Sequence, residues 1–301
     1  MSYRLAAHED PEAALPRILL EETDAAIAEA VDPDLDPSTA IHQVRKRCKR
    51  ARGALQLFRG ALPARRDTDA RFRDAARRLG HLRDATAIRE ALDEAVGEAM
   101  DQGLRARAEP VRRALRRREA RARDDGEARK HLEGFADEVR AIRSAVPDLR
   151  VTARGWGAIV DGLGHVYERG RRHGERAERE PTPERLHKWR RWTKYHWYHM
   201  RLLGDVAPSR LEERRRAAKR LEETLGLDHD LAVLKGLLGD LGTSREATEA
   251  TRAIVDRRRD ALLSAALELG RRLYREEPER FVAEIEPAWG AWRAAAIEPG
   301  A

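Results

Sequence analysis

A single cysteine, Cys48, has no partner in the chain, so no intramolecular disulfide can staple the fold and a reducing compartment is expected. No stretch approaches the roughly 20 apolar residues of a membrane span. Residues 1–30 contain no apolar run of the kind a secretory leader needs. Alternating β-branched and aromatic patterns, the mark of strands, are nearly missing. These absences argue against a disulfide scaffold, a membrane-spanning helix and a β fold. The expectation is a soluble cytoplasmic protein that makes no membrane contact. Lysine is scarce too, at seven of 60 basic residues, and arginine richness can follow genome composition, so the arginine count alone identifies no partner.

The most telling absence is local. From Ser38 to Arg66 there is no acid among nine Lys and Arg residues, and from Arg185 to Gly204 there is again none. The formal net charge of +7 therefore understates the basic character of two segments. Such segments attract polyanions: nucleic acid, phosphate polymers or anionic lipid. With 41% hydrophobic residues in 301, the chain can still bury a sizeable core.

Ala, Leu, Arg and Glu dominate, all strong helix formers, and almost every segment has helical periodicity. Breaks are expected at Asp32–Pro37, Gly60–Pro63, Gly80, Asp124–Gly126, Val146–Asp148, Glu180–Pro183, Gly204–Pro208, Gly226 and Gly239–Thr243. The chain also repeats itself. Ile41-His42-Gln43-Val44-Arg45-Lys46 resembles Leu186-His187-Lys188-Trp189-Arg190-Arg191, 145 residues on. Leu79-Gly80-His81-Leu82-Arg83-Asp84 resembles Leu225-Gly226-Leu227-Asp228-His229-Asp230, 146 residues on. Two motifs at nearly one offset imply duplication. The expected architecture is all-α: a helical repeat over 1–146, a second over 147–301, related by a pseudo-twofold axis and packed as one unit, with one bundle per half.

On a helical wheel, Ile41, Val44, Cys48, Ala51, Leu55 and Phe58 share one face and read as core. His42, Arg45, Lys46, Lys49 and Arg52 fall beside it within an arc of about 120°. In the second copy Leu186, Trp189, Thr193, Trp197 and Met200 form the apolar face. His187, Arg190, Arg191, Lys194 and Tyr198 form the opposite one. Cations stacked this closely repel one another unless an anion joins them, and the Tyr198 hydroxyl could donate to a phosphate oxygen. A solvated helix face is the alternative for each stripe. His42 and His187 are poor metal-ligand candidates, because Arg and Lys hold the i+3 and i+4 positions where further ligands belong; no metal and no cofactor is expected. Gly80 and Gly226 read as helix C-caps, with Asp84 and Asp230 near the next helix start. Arg83 and His229 are further ligand candidates, and Arg73 and Lys219, ten residues before them, are secondary ones. The runs Arg112–Arg118 and Arg257–Arg259 read as solvated faces.

Ile41 through Arg52 resembles the leading motif of CHAD domains, the conserved histidine α-helical domains, and Leu79 through Asp84 resembles their second. Leu186 through Leu203 and Leu225 through Leu234 resemble the same pair in the family's second repeat. The resemblance implies an all-helical fold that binds inorganic polyphosphate through a basic surface or channel and associates with polyphosphate granules. It carries the binding role onto His42, Arg45, Lys46, Lys49, Arg52, Arg83, His187, Arg190, Arg191, Lys194, Tyr198 and His229. Tyr195 and Trp197 depart from it, standing where the first repeat has Arg50 and Arg52, and His229 stands opposite Arg83. The Glu-x-Glu-x-Lys triphosphatase mark, a Lys-Ser/Thr phosphate loop and a His-Glu-x-x-His motif are all missing from the sequence. No catalytic residue is therefore assigned. A nucleic-acid-binding helical protein, and a phosphohydrolase acting on phosphate polymers, are the alternatives to a non-catalytic polyphosphate binder.

Overall fold

The computed structural model describes residues 3–122 and 125–297, with side chains at 81–84, 122 and 297 left aside. Among these residues there is no strand. The helices are α1 (Pro11–Val31), α2 (Pro37–Leu57), α3 (Arg65–Arg78), α4 (His81–Glu98), α5 (Gln102–Ala122), α6 (Asp125–Ala145), α7 (Val160–Arg179), α8 (Pro183–Leu202), α9 (Pro208–Leu237), α10 (Arg245–Leu273), α11 (Pro278–Ala283) and α12 (Glu286–Ile297).

The two His-led helices start by one device. Pro37 opens α2 while Asp36 Oδ2 accepts from Thr39 N at 3.0 Å. Pro183 opens α8 while Thr182 Oγ1 accepts from Arg185 N at 3.3 Å. A fixed φ at the first helical residue and a satisfied early N–H set where each helix begins, and hence how its faces are turned.

The helices close into three four-membered rings. In the first, α1 packs on α2 and α6, and α3 on α2 and α6; in the second, α7 and α9 each pack on α8 and α10. The third is mixed: α4 packs on α5 and α9, and α10 on both of those. Each half thus builds a bundle of its own, while α4 and α5 leave theirs to pack on the far ends of α9 and α10. The apolar core divides likewise. One cluster, with Leu55, Phe58, Phe72, Tyr167, Trp189 and Leu221, runs through the first two rings. A second, with Leu92, Val111, Leu231 and Val255, fills the third. Cys48 lies in the first cluster at 1% exposure, where burial pushes its thiol up to about 12 and keeps it protonated.

Most expected breaks fall where they were placed, Gly80 between α3 and α4 among them; residues 123 and 124 lie outside the described ones. Gly226 is a correction: α9 runs through it unbroken for 30 residues. A break the sequence analysis missed separates α4 from α5, where Asp101 Oδ1 accepts from Leu104 N at 3.0 Å and restarts the helix.

The difference between Gly80 and Gly226 has a local cause. Arg45 donates from Nη1 to the Ala76 carbonyl at 2.7 Å, the acceptor that Gly80 N–H would use in a continuous helix, and Gly80 N–H turns to Arg77 O at 2.9 Å. In the second half the residue 146 positions after Ala76 is Glu222. Its carboxylate takes the corresponding arginine, Arg190, at 3.2 Å, so the backbone ladder is left alone. In both places the arginine head lies close against the glycine. A Cβ would stand 3.3 Å from Arg45 Nη1 at Gly80 and 2.9 Å from Arg190 Nη2 at Gly226.

Candidate anion-binding cleft

α2 and α8 meet where Gly53 admits Tyr198. His199, fully buried, donates from Nε2 to Gly53 O at 3.2 Å across the same contact. To one side of this crossing lies a cleft of about 200 Å³, lined by Lys49 and Arg52 from α2 and by His187, Arg190, Arg191, Lys194, Tyr195 and Tyr198 from α8. Part of each basic stripe, Lys49 and Arg52 from α2 and His187, Arg190, Arg191 and Lys194 from α8, therefore reaches one opening.

Two acids stand behind this lining. Glu222, 3% exposed, is bonded by Lys194 at 2.6 Å and approached by Arg190 at 3.2 Å and Lys219 at 3.6 Å. Burial works against its ionisation, yet Lys194 and Arg190 overcome burial and hold the carboxyl at about 2. Asp69 takes Arg52 at 3.0 Å, and that guanidinium lies 6.0 Å from the Tyr195 ring centre. Five cations thus face two acids. Lys49 and Arg191 make no ion pair with any described residue. Burial, then Lys194, Arg45 and Arg190, pull the Lys49 amine down to about 7 against the opposing pull of Glu222.

That depression has a consequence for stability. A lysine whose folded pKa lies below its unfolded value destabilises the fold at every pH where the unfolded amine is charged. The cost is full below about 7 and gone above the unfolded value near 10.5. Lys49→Met is expected to stabilise the anion-free protein by about 1–3 kcal/mol at pH 6, an advantage that fades by about pH 10. Thermal melts at both pH values measure it; equal gains at both would show packing rather than charge.

The other candidates divide. Arg45 is spent on Ala76 O and Gly80, outside the lining. His42 is exposed on α2 and does not line the cleft. Lys46 does not line the cleft; burial, then Arg50, Arg201 and Arg47, lower its pKa. Arg73 lies on the surface and pairs with its neighbour Asp74 at 3.0 Å. The Arg83 side chain lies outside the described residues. Lys219 serves Glu222 and Glu223 and covers the Trp197 ring at 4.8 Å. His229 sits beside the cleft, its ring centre 4.6 Å from that of His187. Tyr198, whose hydroxyl was expected to donate to a phosphate oxygen, lines the floor of the cleft at 2% exposure, its ring held between Tyr3 and Trp197. His187 is no resident cation either: burial, with His229, Arg190 and Arg191, lowers it to about 4, leaving it neutral at pH 7 until an anion arrives.

Sequence reading missed Glu222, the acid that organises Arg190, Lys194 and Lys219. Its signal was available, since Glu222 stands one helical turn before Gly226 on the same face of α9.

The CHAD domain family model matches residues 17–239. The chain belongs to the CHAD family. The family is associated with polyphosphate. No curated protein matches. Among solved structures this CHAD protein is similar to the CHAD domain from the plant Ricinus communis, at 19% identity over 96% of this chain and 94% of that one, with a TM-score of 0.58. It is also similar to PptA from Streptomyces chartreusis, at 15% identity over 87% and 98%, with a TM-score of 0.58. At such identities the likeness carries the fold.

Proposed function

We propose that this CHAD protein binds inorganic polyphosphate in the α2–α8 cleft, as a binding module with no catalytic step of its own. The observation that carries this is the meeting of five cations from two helices over one opening, Lys49 and Arg191 without an acid partner among the described residues. Arg and Lys donate charge-assisted hydrogen bonds to phosphate oxygens, and displaced counterions drive the association. A chain of phosphates offers that charge at every unit, and it needs neither groove geometry nor a stacking surface. Nucleic acid would want open aromatic faces. Trp189 is 1% exposed, Arg201 and Lys219 cover Trp197, and Arg169 and Arg191 cover Trp192, which supports a ligand without bases. Localisation to polyphosphate granules would follow from binding.

The test is competition among long polyphosphate, single-stranded DNA, RNA and ATP at matched phosphate concentration. Long polyphosphate is expected to win. The log of its affinity should fall with log salt at a slope of about 3.5–4.5, for five contacts at about 0.7–0.9 each by analogy with nucleic acids. A flat salt response, or preference for DNA or RNA, refutes the reading. The polymer should be recovered at its starting length after incubation with Mg²⁺ or Mn²⁺. Orthophosphate release that disappears in Lys49 and Arg191 variants would make the protein a phosphohydrolase instead.

A further inference from the structure

Beyond Tyr198 there is a second cleft. The Tyr198 ring that floors the first packs edge-on against Tyr3, 5.8 Å between centres, and Tyr3 lines a separate opening of about 500 Å³ with Arg4, Arg50, Arg201, Glu212 and Arg215. Its charges do not cancel. Asp205 is matched by Arg4, and Glu212 by Arg215 at 2.6 Å. Arg50 has one long ion pair among the described residues, 3.4 Å to the buried Glu22, which Arg47 shares at 3.4 Å; its guanidinium lies 5.8 Å from the Tyr3 ring centre, and its Nε is buried with no hydrogen-bond partner. Arg201 makes no ion pair with any described residue. Its guanidinium is held between rings instead, 5.2 Å from the centre of Tyr3 and 5.3 Å from that of Trp197. Lys46, one helical turn before Arg50 on α2 and with no ion pair among the described residues, adds positive potential from outside the lining. Among the described residues, the acids set against Arg50, Arg201, Arg47 and Lys46, apart from the Asp205 and Glu212 already matched, are Glu22 and Glu29.

We propose that this second cleft is an anion site for a compact phosphate group, of the phosphate monoester or pyrophosphate class, gripped by Arg50 and Arg201. Guanidinium forks match phosphate oxygens in pairs, and the aromatic faces of Tyr3 and Trp197 keep Arg201 aimed without neutralising it. The excess of about two positive charges suits a dianion. Such a group has two sources, the terminal phosphate of a chain held in the first cleft or a separate small phosphate.

The probe is pyrophosphate, titrated calorimetrically at about 150 mM salt, where the Debye length is about 8 Å and distant charges are screened. The wild type should take up two pyrophosphates. Lys49→Gln with Arg191→Gln should remove one, and Arg201→Gln should weaken the other at least tenfold. Lys46→Gln, which leaves the Tyr3–Arg201–Trp197 packing intact, should weaken that same event about threefold. Unchanged uptake in both Arg201→Gln and Lys46→Gln overturns the proposal. Should Arg201→Gln fail to fold, the Arg201 Nε–H resonance of the wild type decides: a shift on adding pyrophosphate supports the site, and no shift overturns it. Saturation with long polyphosphate assigns the source, because loss of the second pyrophosphate means a chain end occupies the cleft and retention means a separate small anion does. The experiment stands whether or not the first cleft binds polyphosphate, since the two clefts are read through different variants.

Discussion

Lys49→Glu combined with Arg191→Glu is expected to lower affinity for long polyphosphate about 100- to 1000-fold. Each charge-assisted contact contributes about 1.5–3 kcal/mol, less where water screens it, and each reversal adds repulsion to the contact it removes. These two residues are chosen because neither is bonded to an acid among the described residues, so neither substitution strands a buried carboxylate. Lys194→Glu would confuse the reading, for it would take from Glu222, 3% exposed, the ammonium bonded to it at 2.6 Å. Because α2 and α8 line one opening, a short chain should touch cations of both helices. Tripolyphosphate is therefore expected to lose nearly as large a factor as the long polymer. The single variants should also be coupled, their losses not adding, since both act on the same few phosphates. Binding by equilibrium dialysis, with circular dichroism to confirm the helices, measures this. A loss under threefold in the double variant, or strictly additive losses, would mean that the cleft is not where the polymer binds.

The helices and the basic stripes on α2 and α8 were legible because the signals were local. Pro37 and Pro183 mark the starts, the apolar wheel marks the buried faces, and the missing acids mark the rest. The third ring was not legible. Nothing in α4 or α5 announces a partner in the other half, since Leu92 and Val111 look the same whichever helix they meet. Gly226 was misread for a related reason. The six-residue motifs at Gly80 and Gly226 are alike, and the residue that decides whether the helix breaks, Ala76 or Glu222, stands outside both motifs.

The candidate site was partly legible. Periodicity places a side chain on a face, and Lys49, Arg52, His187, Arg190, Arg191 and Lys194 follow it into the cleft. It cannot say which cations are already spent. Arg45 looked equivalent to Lys49 on the wheel, yet Arg45 is consumed by a backbone carbonyl 31 residues away. Lys46, three residues before Lys49, stays out of the lining and stands one turn before Arg50, which lines a cleft that the stripe pattern does not announce.

The pH dependence of binding, read in wild type against Lys49→Arg, should isolate Lys49 from Lys194, whose amine burial also lowers. The amine faces Lys194 and Arg190 on α8, Arg45 on its own helix and Glu222 on α9, and it rests at about 7 before ligand arrives. A bound polyanion favours the charged form and raises that value. Affinity should therefore be level below about pH 7 and then fall, by up to about tenfold per pH unit, until the bound-state pKa is reached. Between pH 7 and 9 the loss approaches about a hundredfold. The ligand cannot produce this sign. Internal phosphates of a long chain stay ionised throughout, and terminal ones gain charge near pH 6, which strengthens binding as pH rises. His187 acts in another window. Its free value of about 4 means that affinity gained through its protonation appears below pH 7, as the ligand draws a proton onto the ring. Lys49→Arg keeps the cation and removes its titration, because guanidinium stays protonated at every pH used. That variant should bind at pH 9 nearly as well as at pH 7, while the wild type does not. If wild type and Lys49→Arg decline in parallel between pH 7 and 9, the proton is lost elsewhere and Lys49 is not a contact of the bound polymer.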